Sequence, residues 1–419
     1  MSGAHGHGEH GPGVAGPVPA RVRRLLVMAV APLLVATVVG LVAMWPGRDV
    51  PARPANLGAL VELETATVGT VELVPCSQGP QAVGRCQRAD IRITSGPDDG
   101  ETYELDISMG PGNPTLERGD RIVVGRSPDP SLGAVYYFSD YQRRAPLLLL
   151  AGLFAVVVIA IGRVRGVTAL LGLVVTFAIL IKFILPALLE GKSPLLVAIV
   201  GSAAVMFVIL YLAHGVNAQT TTALLGTLVS LVLIAVLAGW FVEAARMVNL
   251  GSEEATFLQV SASQVDLRGL LLGGILIGSL GVLNDVTVTQ ASAVWALRAA
   301  DPTAPARHLY RSAMRIGRDH IASTVDTLVL AYAGASLPLL LLFTLASRPV
   351  GDVLTGELMA EEILRTLIGS VGLVASVPIT TGLAALVAST AATGGKRRRW
   401  PPWPKRRSGP AGRRVPSKG

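Results

Sequence analysis

Asp285 sits where a carboxylate is costly. It stands in the run "GSLGVLNDVTVTQAS", Gly278 to Ser292, beside Asn284, with Thr287, Thr289 and Gln290 following closely. A second carboxylate, Asp326, lies in "GRDHIASTVDTLVLAYAGASLPLLLL", with Ser323 and Thr327 on nearby faces. Both runs are otherwise mostly apolar. A charge at the centre of a bilayer costs about 3 kcal/mol or more, so ionisable residues there line cavities or pathways. Thr289, four residues after Asp285, shares its helical face. Two carboxylates at similar depth on antiparallel helices can share one proton, because both ionising in low dielectric is disfavoured. Asn284, Asp285, Thr289 and Asp326 therefore form a candidate proton relay or ion site. The alternative for the same residues is a structural polar network that holds two helices together.

The loop between these runs, "LRAADPTAPARHLYRSAMRIGRDH", ends in Arg318, Asp319 and His320, a candidate inner gate. The plainer reading makes Asp319 the N-cap of the following helix. The stretch 305–316 is amphipathic and is expected to lie along the membrane surface. Pro378, just before Thr380 and Thr381, is expected to kink or break the last apolar run. No catalytic residue is expected. A P-loop is absent, and the Gly-x-Gly-Asp pattern of intramembrane aspartyl proteases precedes neither aspartate. No cofactor or metal centre is expected either, since His5, His7 and His10 sit in a Gly- and Pro-rich tail.

The elements that must position these residues are membrane helices. The chain has 419 residues, 51% hydrophobic and 15% charged, where a soluble chain carries about 25% charge. Apolar runs near 25–45, 146–162, 167–189, 194–213, 220–242, 268–293, 321–346 and 364–392 each suit a crossing of a ~30 Å core. The expected fold is a polytopic α-helical membrane protein with about eight spans. Residues 1–24 form a disordered cytoplasmic tail, 25–45 an anchor helix, 145–392 a seven-helix membrane domain and 393–419 a disordered basic tail. Residues 46–144 alternate in short strand-like runs between turn signals. They predict a small extracytoplasmic β domain, a barrel or sandwich, with an OB-like barrel among the options.

Charge sets the orientation. Arg163, Arg165, the arginines at 298, 307, 311, 315 and 318, and the tail all fall on one side, which the positive-inside rule makes cytoplasmic. Both termini are then cytoplasmic, in the cell membrane. The net charge of +8 reflects that tail, which suits anionic lipid and not nucleic acid. The β domain lies outside, where it suits a protein partner and where a Cys76–Cys86 disulfide can form.

Three stretches carry a resemblance: "DLRGLLLGGILIGSLGVLNDVTVTQASAV", "IGRDHIASTVDTLVLAYAGASLPLLL" and "EEILRTLIGSVGLVASVPITTGLAAL". The chain resembles the YibE/F-like family of multi-pass membrane proteins over roughly residues 55–392. That resemblance carries no catalytic residue. "GVLNDVTV", through Gly281, Asn284, Asp285 and Thr287, is also similar to the accessory subunits of Sec-type export in the RND superfamily, which implies proton coupling. Two functions are expected from different classes. One is a transporter or proton- or ion-coupled export factor. The other is a non-transporting scaffold that presents the β domain.

Overall fold

A computed structural model describes residues 18–47, 62–75, 85–110, 112–126, 136–345 and 349–391. Both tails and Cys76 lie outside the described residues. Five strands form one antiparallel sheet: β1 (Glu62–Pro75), β2 (Arg85–Ile93), β3 (Thr102–Ser108), β4 (Arg121–Arg126) and β5 (Tyr136–Tyr141), in the order β3-β2-β1-β4-β5. Strict alternation along β2 puts Ala89, Ile91 and Ile93 inside and Arg92 outside. A bulge in β1 between Val68 and Val71 bends the sheet. The two edge strands then approach, and the Tyr103 and Tyr136 rings sit 4.8 Å apart. The result is a curled half-barrel around Ile91, Ile122 and Val124. The Tyr136 hydroxyl donates toward Glu64 (2.8 Å) and Asp98 (2.6 Å), which ties β5 to β1. Cys86 is disulfide-bonded.

The apolar runs become helices. α1 is Ala20–Ala43 and α2 is Arg144–Ile179; α2 continues through a π turn, Leu180–Ile184, into α3, Leu185–Leu189. α4 (Pro194–His214) starts on Pro194 and stops at Gly215, whose φ of 73° suits glycine. α5 (Ala218–Ala244) is capped by the Asn217 side chain, which accepts from Thr220 N at 2.9 Å. α6 is Glu253–Ser261, α7 is Leu267–Ala300, α8 is Ala306–Ala335, α9 is Leu337–Leu345, α10 is Val350–Thr355 and α11 is Glu357–Ser389.

Six of these helical stretches are long and apolar enough to cross a membrane, or seven when α8 and α9 count as one bent span. The stretch Arg144–Leu189, at 46 residues, would be about 69 Å long if straight, twice the hydrocarbon thickness. It is not straight. Arg163 has φ 52° and ψ −129°, and a Cβ on Gly166 would overlap the Val158 backbone. Residues eight apart touch only if the chain doubles back.

α8 differs from expectation. It is one helix from Ala306, so 305–316 is no separate surface helix and Asp319 lies inside the helix, not at its N-cap. Nothing between Pro305 and Gly317 breaks it, and Gly317 sits where a Cβ would meet Val377 at 2.6 Å. The helix ends at Ala335, and α9 leaves at 58°; Pro338 has no N–H with which to continue the ladder across this break. Pro378 sits inside α11 without ending it.

α7 is the centre of the bundle. Ser279 faces Gly369, Gln290 meets Thr381, and Arg298 reaches Ser389, so α7 and α11 run parallel. α5 and α8 run opposite to them. Leu276, Leu280 and Leu283 of α7 pack with Leu231 and Ile234 of α5 and Ile368 of α11.

Gly166→Val is expected to cost about 1–3 kcal/mol through overpacking at the hairpin. Thermal unfolding of the detergent-solubilised chain measures it, and an unchanged midpoint would contradict the tight turn. In the half-barrel, the hydrogen bond from Arg88 holds the Asp106 carboxyl below its usual range. Its stabilising contribution is therefore full above a pH of about 4 and is lost as pH falls through the lowered value. Protease resistance of the β region should fall in that acid window, and less so in Asp106→Asn.

Candidate functional site

The five glycines before Asp285 divide by what they face. A Cβ on Gly269 would press on Pro194, and one on Gly273 would touch Ala198, so these two bring α4 against α7. Gly274 and Gly281 face open space, and Gly278 faces the Tyr332 hydroxyl of α8. A groove therefore opens between α7 and α8, floored by glycines one and two turns apart. Asp285 continues this stripe at one end of the groove, with its side chain 68% exposed.

His320 stands across the groove from Asp285. Its Nε2 lies 3.7 Å from Asp285 Oδ2, an ion-pair distance when the ring is protonated and too long for a hydrogen bond. The nitrogen is itself buried and has no hydrogen-bond partner among the described residues. Asn284 Oδ1, beside it on α7, is also buried without a partner. Asp326 does not share this position. The contacts of Gly278 with Tyr332 and of Asp285 with His320 fix the antiparallel register, and they set Asp326 level with about residue 281. That is about one helical turn, or 6 Å, from Asp285. Asp326 is exposed and makes no hydrogen bond or ion pair among the described residues.

The gate residues separate in the same way. Arg318 and Asp319 are exposed on α8 and have no ion pair among the described residues, whereas His320 turns inward. Thr289 is half-buried and makes no side-chain hydrogen bond among the described residues.

The opposite face of α7 is polar and fully packed. The hydroxyls of Thr287 and Thr227 of α5 lie 2.7 Å apart, both completely buried. Thr381 of α11 donates to Gln290 Oε1 at 3.0 Å. Ser292, two turns beyond Asp285 on its own face, accepts from Gln219 of α5 at 2.8 Å. Arg298 is buried and donates to the carbonyls of Ala304, Ser389 and Ala391. Its charge completes the otherwise unpaired carbonyl end of α11.

The polar residues of this region thus divide into two groups. Thr287 and Gln290 join helices. Among the described residues, Asp285 makes no hydrogen bond, and His320 Nε2 and Asn284 Oδ1 have no hydrogen-bond partner. Sequence reasoning grouped His320 with Arg318 and Asp319 and missed its pairing with Asp285. Gln290 at i+5 from Asp285 was a usable signal, since a residue on another face cannot serve the same site.

Helices this long and this apolar define an integral membrane protein. The family model of the YibE/F-like protein matches residues 150–390, more than half of the chain. The chain belongs to the YibE/F-like family. No curated protein matches it, and no solved structure does. None of these comparisons extends to the RND superfamily.

Gln290→Leu is expected to lower stability by about 0.6–1.7 kcal/mol, the range for a hydrogen bond between membrane helices. Asp285→Asn should leave stability nearly unchanged. Unfolding of both variants in the same detergent tests this division, and a larger loss in Asp285→Asn would reverse it.

Proposed function

We propose that this protein is a proton- or ion-coupled transporter or export factor whose working site is the groove between α7 and α8. One observation carries the reading: Asp285 and His320 face each other at 3.7 Å, with His320 Nε2 buried and unpartnered. A carboxylate and an imidazole at this distance can pass a proton between them, and histidine changes charge near neutral pH. Asp326, one turn along the groove, is the next acceptor in line. Asn284 supplies a neutral acceptor beside the pair.

The wider arrangement fits a cell-membrane protein with both termini cytoplasmic. With the doubled-back helix counted as two crossings and α8–α9 as one, the chain crosses eight times. The half-barrel then stands outside the cytoplasm, where it can meet a protein partner, and the basic tail meets anionic lipid within. The bonds from Thr227 to Thr287 and from Gln290 to Thr381 support the second reading, a non-transporting scaffold, because they serve helix association alone.

Proteoliposomes loaded with a pH-sensitive dye separate the two. Asp285→Asn and His320→Gln are each expected to lower proton flux about tenfold or more. Asp326→Asn should have a smaller effect. Wild-type vesicles that pass no proton or ion under any imposed gradient would leave the scaffold reading standing.

A further inference from the structure

The unspent polar groups do not stop at the groove. Near the start of α11, Glu361 is 8% exposed, with Oε1 fully buried, and it makes no hydrogen bond or ion pair among the described residues. Its neighbours are engaged elsewhere. Arg365, one turn on, turns to Glu362 at 2.9 Å and leaves its own Nε buried without a partner. Glu357, one turn before, accepts from the backbone N–H groups of Val248, Asn249 and Leu250. The charges that act on Glu361 are those of Glu357, Arg365 and Glu362, and Tyr332 of α8 senses the last two. The core into which Ala360 and Leu364 pack is built of α5 and α7 side chains such as Val242, Leu271 and Ile275, which bring no charge.

An ionised carboxylate buried without a partner is expensive, and taking up a proton removes most of that cost. Glu361 is not the only buried polar group without a partner among the described residues. With α7 and α11 in parallel register, further buried and unpartnered atoms follow in order of depth: Ser370 Oγ, then Asn284 Oδ1 and His320 Nε2, then Thr380 Oγ1 and Gln290 Nε2. Glu361 to Thr380 covers about 28 Å of helix, close to the ~30 Å thickness of a hydrocarbon core. Buried polar atoms without protein partners are where ordered water binds.

We propose that Glu361 is a second protonation station of the proton path through Asp285 and His320, set nearer the end of the bundle where α7 and α11 begin. The proposal rests on the proton-coupled reading of the groove. The Glu361 carboxylate accepts one proton from the aqueous end, becomes neutral, and releases it toward the buried hydroxyl and amide groups deeper in the bundle. Only O–H and N–H bonds form and break, and one positive charge moves. Arg365 and Glu362, already paired, hold the mouth of the path without competing for the proton.

The test uses the full chain in dye-loaded vesicles, with Glu361→Gln, Glu361→Asp and infrared detection of protonated carboxyl groups. Glu361→Gln is expected to lower proton flux about tenfold or more, and Glu361→Asp to retain a substantial part of it. A buried-carboxyl band that titrates in wild type should vanish in Glu361→Gln. Because that band is read on wild type, the test survives a variant that folds poorly, and its absence overturns the proposal. Wild-type flux that persists unchanged in Glu361→Gln overturns this proposal alone. Absence of any wild-type flux overturns the reading of the groove and this proposal with it.

Discussion

Inside an apolar bundle a polar side chain bonds to the protein or keeps its capacity unspent, because hydrocarbon offers no substitute for water. α7 does both, on two faces. Thr287 and Gln290 are completely buried and bonded to α5 and α11. Asp285, one residue before Val286, points the other way, into the groove toward α8. The 100° rotation between successive helical residues thus separates what holds the bundle together from what remains free to act. Had Asp285 carried the helix contacts, its charge would have been committed to structure.

Glycine spacing makes the groove possible. Gly269 and Gly273 draw α4 close, while Gly274, Gly278 and Gly281 leave room beside Asp285. Gly317 does the corresponding work on α8, since it lets Gln290 and Val377 approach that helix. The closely packed side of α7 fixes the depth of every polar group along it, because the parallel contacts with α11 recur from Ser279 to Arg298. Arg298 closes this end of the bundle through three carbonyls, so a residue that reads as a surface charge serves as a clamp.

Membership in the YibE/F-like family and the helical, membrane-type architecture were legible in the sequence. Composition and run length are local properties, and a run of about 20 apolar residues has few other uses. The strand alternation of residues 85–93 was equally local, and the curled half-barrel contains it. The pairing of Asp285 was not legible. An apolar run that starts near residue 321 sets Asp326 at a depth similar to that of Asp285 and leaves open whether the two meet. The helix begins at Ala306, and the contacts of Tyr332 and His320 shift the register by about a turn. Glu361 falls just before the last apolar run, 364–392, and nothing in the sequence announces that α11 already starts at Glu357.

The sequence alone determined which segments favour hydrocarbon, which alternate as strands, and that carboxylates stand among apolar residues. Those follow from the side chains and their period. Which carboxylate meets which partner was decided only by tertiary structure. A pairing between two helices depends on where each begins, how each is rotated and how closely glycines let them approach. A shift of one turn changes every contact while leaving composition and periodicity the same. Asp285 therefore faces His320, and Glu361 stands buried between neighbours already paired.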